Sequence, residues 1–161
     1  MSKIYVDEIA GIASADTVAI PGHVIQVVQG TRSGSSISTT STSLSDTGLS
    51  VSITPTAASS KIVVMATLTG GSTTEPGNDA QAFFQLVRDT TDLIQVRCGD
   101  HNGNASRSDD ISPINLSYLD SPATTSATTY KVQYKVNGSG RTAQAFLGSQ
   151  IGSIIAMEIA G

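Results

Sequence analysis

The chain alternates short segments of apolar and polar residues with polar, glycine-rich stretches. The clearest segment is TYKVQYKV, in which Tyr130, Val132, Tyr134 and Val136 alternate with lysine and glutamine. An apolar period of two residues is typical of a strand that buries one face. The pattern predicts a strand here, with the four apolar side chains directed to a core.

Similar patterns recur along the chain and predict further strands. They are HVIQVVQ (23–29), LSVSITP (49–55), KIVVMATLT (61–69), RDTTDLIQVRC (88–98), ISPINLSYL (111–119), RTAQAFLGS (141–149) and IGSIIAMEI (151–159). In RTAQAFLGS, Ala143, Ala145 and Leu147 are expected on one side. Residues 30–48 are low-complexity polar sequence and are expected to hold an edge strand at most. Eight or nine short strands with no alternating helix pattern predict an all-β fold, an antiparallel β-sandwich.

Residues 78–89 fit two different periods. A helical period would group Ala80, Phe83, Phe84 and Val87. A strand would instead direct to the core Ala82, Phe84 and Leu86. We favour the strand, because the stretch that follows reads as a hairpin turn and a return strand.

The first 22 residues read as a separate arm before a domain of residues 23–161. The arm is too short to bury its own apolar residues, so it needs a partner surface. We predict that Ile4, Tyr5 and Val6 attach the protein to a neighbour by strand addition. Asp7 and Glu8 stand where a signal peptide would need its apolar core, so export by that route is not expected.

Composition and charge exclude several classes of protein. Charged residues make up only 14% of the chain, aromatic residues 4%, and the net charge is −4. The basic residues are scattered singly, so nucleic acid is not an expected partner. No apolar run approaches the ~18 residues of a membrane span, so membrane insertion is not expected. The single cysteine, Cys98, cannot form an internal disulfide.

The polar loop CGDHNGNASRSDD (98–110) is the main candidate for a functional site in the sequence. Its spacing begins like a calcium loop, but Ala105 replaces the required glycine and Ile111 the bidentate glutamate. No second ligand pair follows to complete a zinc site, so neither a metal nor a cofactor is expected. The sequence favours a solvated surface loop here. The functional alternative is recognition of a sugar or a cell surface by Asp100, His101, Asn102, Asn104, Arg107 and Asp109. No motif for a catalytic nucleophile or a phosphate loop is present, so the sequence predicts no enzyme.

Several of these segments together resemble virion structural proteins of tailed bacteriophages, notably tail-fibre proteins of marine and cyanobacterial phages. The resemblance rests on PGHVIQVVQ, TGLSVSITPTAASSKIVVMATLTGG, FFQLVRDTTDLI, LSYLDSPATTSATTYKVQYKV and SIIAMEIAG. It implies a jelly-roll-like sandwich that works as a homotrimer on a virion surface, after synthesis in the host cytoplasm. Tail-fibre knob and head-decoration protein remain two open versions of this expectation, both with contacts to other virion proteins. A carbohydrate-binding module for host surface glycans is the alternative from another class.

Three strand patterns bear directly on the oligomer. HVIQVV, KIVVMATL and SIIAMEI carry apolar residues on both faces. A two-sheet sandwich buries one face of each sheet, so the second face of these strands needs another cover. With no helix pattern to supply it, the expected cover is another copy of the chain, and the resemblance implies three copies.

Overall fold

The alternating segments form ten strands in the computed structural model, which describes residues 22–74, 81–98 and 110–161. Residues 1–21 of the predicted arm lie outside the described residues. The strands are β1 (Val24–Arg32), β2 (Ile37–Thr39), β3 (Ser45–Ile53), β4 (Lys61–Thr74), β5 (Ala82–Arg88), β6 (Thr91–Cys98), β7 (Asp110–Asp120), β8 (Thr128–Val136), β9 (Arg141–Ala145) and β10 (Gly152–Ile159). All pairings between them are antiparallel.

The first sheet has β4 at its centre. Strand β4 pairs β7 along one edge, and β10 and then β9 along the other. Strand β10 in turn pairs β1, and β9 pairs β2. The β1–β10 ladder ends at Arg32 opposite Gly152, and the β2–β9 ladder begins at Ile37 opposite Ala145. The segments β1 and β2 therefore act as one interrupted strand, as do β9 and β10.

The second sheet has the order β3-β8-β5-β6. With each interrupted strand counted once, the two sheets hold four strands each, and the chain passes repeatedly between them. An eight-stranded double sheet with this order of strands is a jelly roll. The predicted all-β antiparallel sandwich, jelly-roll-like, is confirmed, with ten strand segments in place of about eight.

The core lies between the two sheets and is filled by the alternating side chains. Strand β8 directs Tyr130, Val132, Tyr134 and Val136 inward, as the sequence predicts. The ambiguous segment is a strand, and it buries Ala82, Phe84 and Leu86 completely. Opposite them, the first sheet contributes Ile62, Val64, Ala66, Leu68, Ile114, Leu116, Ile154 and Ala156. Large aliphatic and aromatic side chains thus close the core without a disulfide.

One strand prediction is wrong in its extent. Strand β9 ends at Ala145, so Leu147 does not continue its inward face and lies in a short 3-10 turn. Phe146 adopts a left-handed conformation (φ 58°) and takes the buried position instead. Its ring is in contact with the place that a Cβ on Gly152 would occupy, and Arg32 lies 4.0 Å above the ring centroid. The aromatic side chain fills the gap that opens where the long strand is interrupted.

Candidate functional site: two unlike outer faces of the sandwich

The outward side chains of the first sheet form aligned rows across four strands, which we call the apolar face. The register places three rows side by side: Val27, Met157, Val63 and Leu119; Gln29, Ile155, Met65 and Ser117; Thr31, Ser153, Thr67 and Asn115. The first row is entirely apolar, the second is half apolar, and the third is neutral and polar. None of the three rows contains a charged residue.

Much of this apolar surface is open to solvent. Val27 is 56% exposed, Leu119 55% and Met65 39%. Val24 and Ile25 continue the exposed surface at the start of β1, beside a register irregularity. Contiguous apolar patches on a soluble protein usually mark an interaction site.

The outward side chains of the second sheet form a polar face of opposite character. One row crosses four strands as Asp46, Gln133, Gln85 and Gln95. Gln133 donates to Asp46 (2.7 Å) and Gln95 donates to Gln85 (2.6 Å). The Gln133 hydrogen bond and the nearby charge of Lys131 lower the pKa of Asp46. The face is therefore a set of charged and amide groups that already satisfy one another.

The neighbouring row of the polar face combines an aromatic ring with two cations. It runs from Lys135 through Phe83 to Arg97 on three adjacent strands. The ammonium of Lys135 lies 5.8 Å from the Phe83 ring centroid, within the range of a cation–π contact.

A partly buried ion pair with a shared tyrosine ties the two sheets together at one end of the sandwich. The guanidinium of Arg88 donates to both oxygens of Asp120 at 2.8 Å, and the Tyr130 hydroxyl donates to Oδ2 at 2.7 Å. Asp120 belongs to the first sheet, whereas Arg88 and Tyr130 belong to the second. Burial, and then the hydrogen bond to Asp120, raise the pKa of Tyr130 far above its ordinary value, so its hydroxyl stays protonated.

Glu158 is a second buried carboxylate. It lies on the inner side of the first sheet, in the same row of paired strand residues as Asp120. It is fully buried, and it accepts hydrogen bonds from Gln26 (2.6 Å) and from the amide and hydroxyl of Thr56 (both 2.7 Å). Burial alone would raise the pKa of Glu158, but these hydrogen bonds outweigh it and hold the pKa at about 2. Both carboxylates are engaged in structural hydrogen bonds.

A concave site lies between the edge strands β6 and β7. It is a cleft of about 460 Å³ lined by Val96, Arg97, Cys98, Ser112, Pro113, Ile114 and Asn115. A smaller cavity of about 130 Å³ lies under Asp46 and Lys131 on the polar face.

All of the site residues predicted from the sequence lie outside the described residues. They are Ile4, Tyr5 and Val6 of the arm, and Asp100, His101, Asn102, Asn104, Arg107 and Asp109 of the loop. Cys98, at the start of that loop, is buried. Within the described ranges, no group of three or more His, Cys, Asp or Glu side chains is placed to hold a metal ion. No helix among the described residues is long and apolar enough to cross a membrane.

Sequence reasoning missed Leu119 as part of the apolar face. In β7 the inward positions are Ile114, Leu116, Tyr118 and Asp120, so Leu119 is the apolar residue out of phase. That break in the alternation was a signal that the outer face continues onto β7.

Among known proteins, the chain is similar to solved structures but to no family or curated sequence. The solved structures that it resembles include capsid protein VP2 of infectious bursal disease virus. A mutant VP2 in T=1 particles is 16% identical with a TM-score of 0.38, and the match covers 100% of this chain and 41% of that one. The VP2 subviral particle gives the same identity and TM-score and 42% coverage of that chain.

The infectious bursal disease virus Gx strain structure is 17% identical with a TM-score of 0.38, over 84% of this chain and 37% of that one. The chain thus spans well under half the length of these structures. The assignment of the jelly roll rests on the strand order and registers given above.

Proposed function

We propose that the chain is a non-enzymatic structural protein of a bacteriophage virion: a homotrimeric surface appendage, either a tail-fibre knob or a head-decoration protein. Residues 1–22 form its attachment arm to other virion proteins and residues 23–161 its knob. Synthesis takes place in the host cytoplasm, and the assembled protein lies at the virion surface.

The observation that carries the proposal is the apolar face on a jelly-roll sandwich. A chain whose first row is Val27, Met157, Val63 and Leu119 exposes surface that a solitary soluble protein would keep polar. Self-assembly explains such a face, and catalysis does not require one. The buried carboxylates Asp120 and Glu158 accept hydrogen bonds that hold strands and loops together. Their use in stabilising the fold also favours a structural role.

The experiment that tests the function is location of the protein on purified phage particles. Antibodies raised against residues 23–161 are expected to label the tail tip or the head surface in electron micrographs. Labelling at the tail identifies the knob and labelling at the head identifies the decoration protein. Particles that contain none of the chain, by labelling and by mass spectrometry, contradict the virion assignment.

Recognition of host surface glycans is a second candidate, supported by the polar face. The exposed Gln95 and the half-buried Gln133 carry amide groups of the kind that can exchange their present partners for sugar hydroxyls, in the row next to the Phe83 ring. The predicted recognition residues Asp100, His101, Asn102, Asn104, Arg107 and Asp109 belong to the same proposal. A glycan array with the purified protein tests the idea, and binding no stronger than that of an unrelated protein removes it.

A further inference from the structure

We infer that the apolar face is buried between copies of this chain, so that the polar face points outward from the assembly. The inference rests on the proposed homotrimer and adds to it which surface each copy turns toward its neighbours. The occupant of the face is a second copy of the chain.

The size of the face fits the centre of a protein interface. Four strands about 4.8 Å apart, with outward side chains about 6.8 Å apart along each strand, make three rows on the order of 400 Å². A standard interface buries roughly 800 Å² on each partner, with an apolar centre and a polar rim. The first two rows supply the apolar centre, and the neutral row of Thr31, Ser153, Thr67 and Asn115 supplies part of the rim.

Charge favours a second copy on this face over any other pairing of surfaces. Identical chains of net charge −4 repel one another, so they associate best where neither contributes charge. The three rows satisfy that condition. On the polar face, contact would desolvate Lys131, Lys135, Arg97 and Asp46, which is costly for charges that gain no new partner.

The N-terminal arm is the competing occupant. The Gly22 amide donates to the Ala160 carbonyl (2.8 Å), just past the end of β10. Gly22 therefore lies close to the Val24 end of the apolar face, and an arm folded back on its own chain would compete with the second copy. Deletion of residues 2–20 separates the two possibilities.

The central test places the same charge on either face. Val27→Glu with Leu119→Glu alters the apolar face at its two edge strands, where both side chains are more than half exposed. Ser52→Glu with Gln95→Glu is the matched control on the edge strands of the polar face, at exposed outward positions. Both variants acquire the same net charge, so general repulsion between copies is equal.

The readout is mass by light scattering. The parent protein and the control are expected at three times 16.5 kDa, and the apolar-face variant at 16.5 kDa. Two unpaired carboxylates on the buried face of every copy should weaken association more than about 100-fold. Far-ultraviolet circular dichroism must show that the variants keep the sandwich.

A thiol-labelling measurement covers the case in which the charged variant fails to fold. Val27→Cys is expected to react with a maleimide much more slowly than Ser52→Cys in the assembled protein, with the buried Cys98 as common background. The deletion of residues 2–20 should leave both the mass and this protection unchanged.

Three results overturn the inference. A charged apolar-face variant that remains trimeric shows that copies meet elsewhere, and it leaves the virion role intact. Equal rates of maleimide labelling at Val27→Cys and Ser52→Cys would also show that the copies meet elsewhere. Loss of protection on deletion of the arm assigns the face to the arm. Failure of the virion assignment itself would appear separately, in the labelling of phage particles.

Discussion

Glu158 is the residue whose environment departs most from that of an ordinary surface carboxylate. It has no exposed surface, and Gln26 and Thr56 hold its two oxygens. With a folded-state pKa of about 2, below its ordinary value of 4.5, it favours the folded state above pH 4.5. That contribution is lost as the pH falls from about 4.5 through about 2.

We predict that Glu158→Gln lowers the free energy of unfolding at neutral pH by about 1–3 kcal/mol. The new side-chain amide group is a hydrogen-bond donor and would face the donors of Gln26 or Thr56, so at least one hydrogen bond is lost. The variant should also lose acid sensitivity that the parent shows between pH 4.5 and 2. Urea denaturation across this pH range measures both effects.

Asp46→Asn is the matched control, since that carboxylate is 59% exposed and its ion pair with Lys131 is a surface one. Its cost should be below about 1 kcal/mol. If the free energy of unfolding of Glu158→Gln depends on pH as that of the parent does, the hydrogen bonds at Glu158 are not the cause of the loss of stability between pH 4.5 and 2.

At the scale of elements, the bonds between Asp120, Arg88 and Tyr130 fasten β7 of one sheet to β5 and β8 of the other. Asp120→Ala is expected to cost about 3–5 kcal/mol, because it leaves the Arg88 charge without its buried partner. In a background of Arg88→Met and Tyr130→Phe, the same Asp120 change should cost much less, because its partners are gone.

The difference between those two costs is the coupling energy, measured by urea denaturation of all four proteins. A coupling near zero would mean that the two sheets do not depend on this contact.

A close approach of backbones joins β1 to β3 across the sandwich. A Cβ on Gly30 would meet the backbone carbonyl of Ser50 and the Ile154 side chain. We predict that Gly30→Ala destabilises the protein by about 1–3 kcal/mol, because backbone must move to admit the methyl group. Gln29→Ala, at the neighbouring outward position, is the control and should change the thermal midpoint little. Equal midpoints for the two variants would contradict this account of the β1–β3 contact.

At the scale of the whole molecule, attachment and self-association are assigned to different parts of the chain. Deleting residues 2–20 should leave a folded trimer that no longer joins phage particles, because the proposed strand addition through Ile4, Tyr5 and Val6 is removed. Quantitative mass spectrometry of particles grown with the deletion measures incorporation.

Replacing Ile4, Tyr5 and Val6 with serine is the narrower form of this test, and Ser14→Ala within the arm is its control. Normal incorporation of the deletion variant would refute the arm as the attachment device.

Much of the fold was accessible from the sequence because its signal is local. Alternation identified β8 and its inward side chains, and it placed Ala82, Phe84 and Leu86 correctly in the segment that also fitted a helix. It failed at Leu147, because the end of β9 is set by the Phe146 ring filling the gap in the interrupted strand. The sequence predicts the candidate interface only in part. The patterns of β1, β4 and β10 indicate apolar residues on both faces of each strand, whereas the outward position of Leu119 on β7 was not predicted.

The sequence by itself determined where strands form and which side chains of each strand point together, since neighbouring residues on a strand alternate whatever lies beside it. Only the tertiary structure decided which strands are neighbours. The first apolar row exists because Val27, Met157, Val63 and Leu119, far apart in the chain, align through three ladders. The tertiary structure also brought Asp120 to Arg88 and Tyr130 across the sheets. Pairing between distant segments leaves no local trace, so the outer faces, one apolar and one polar, became distinct only once the sheets were assembled.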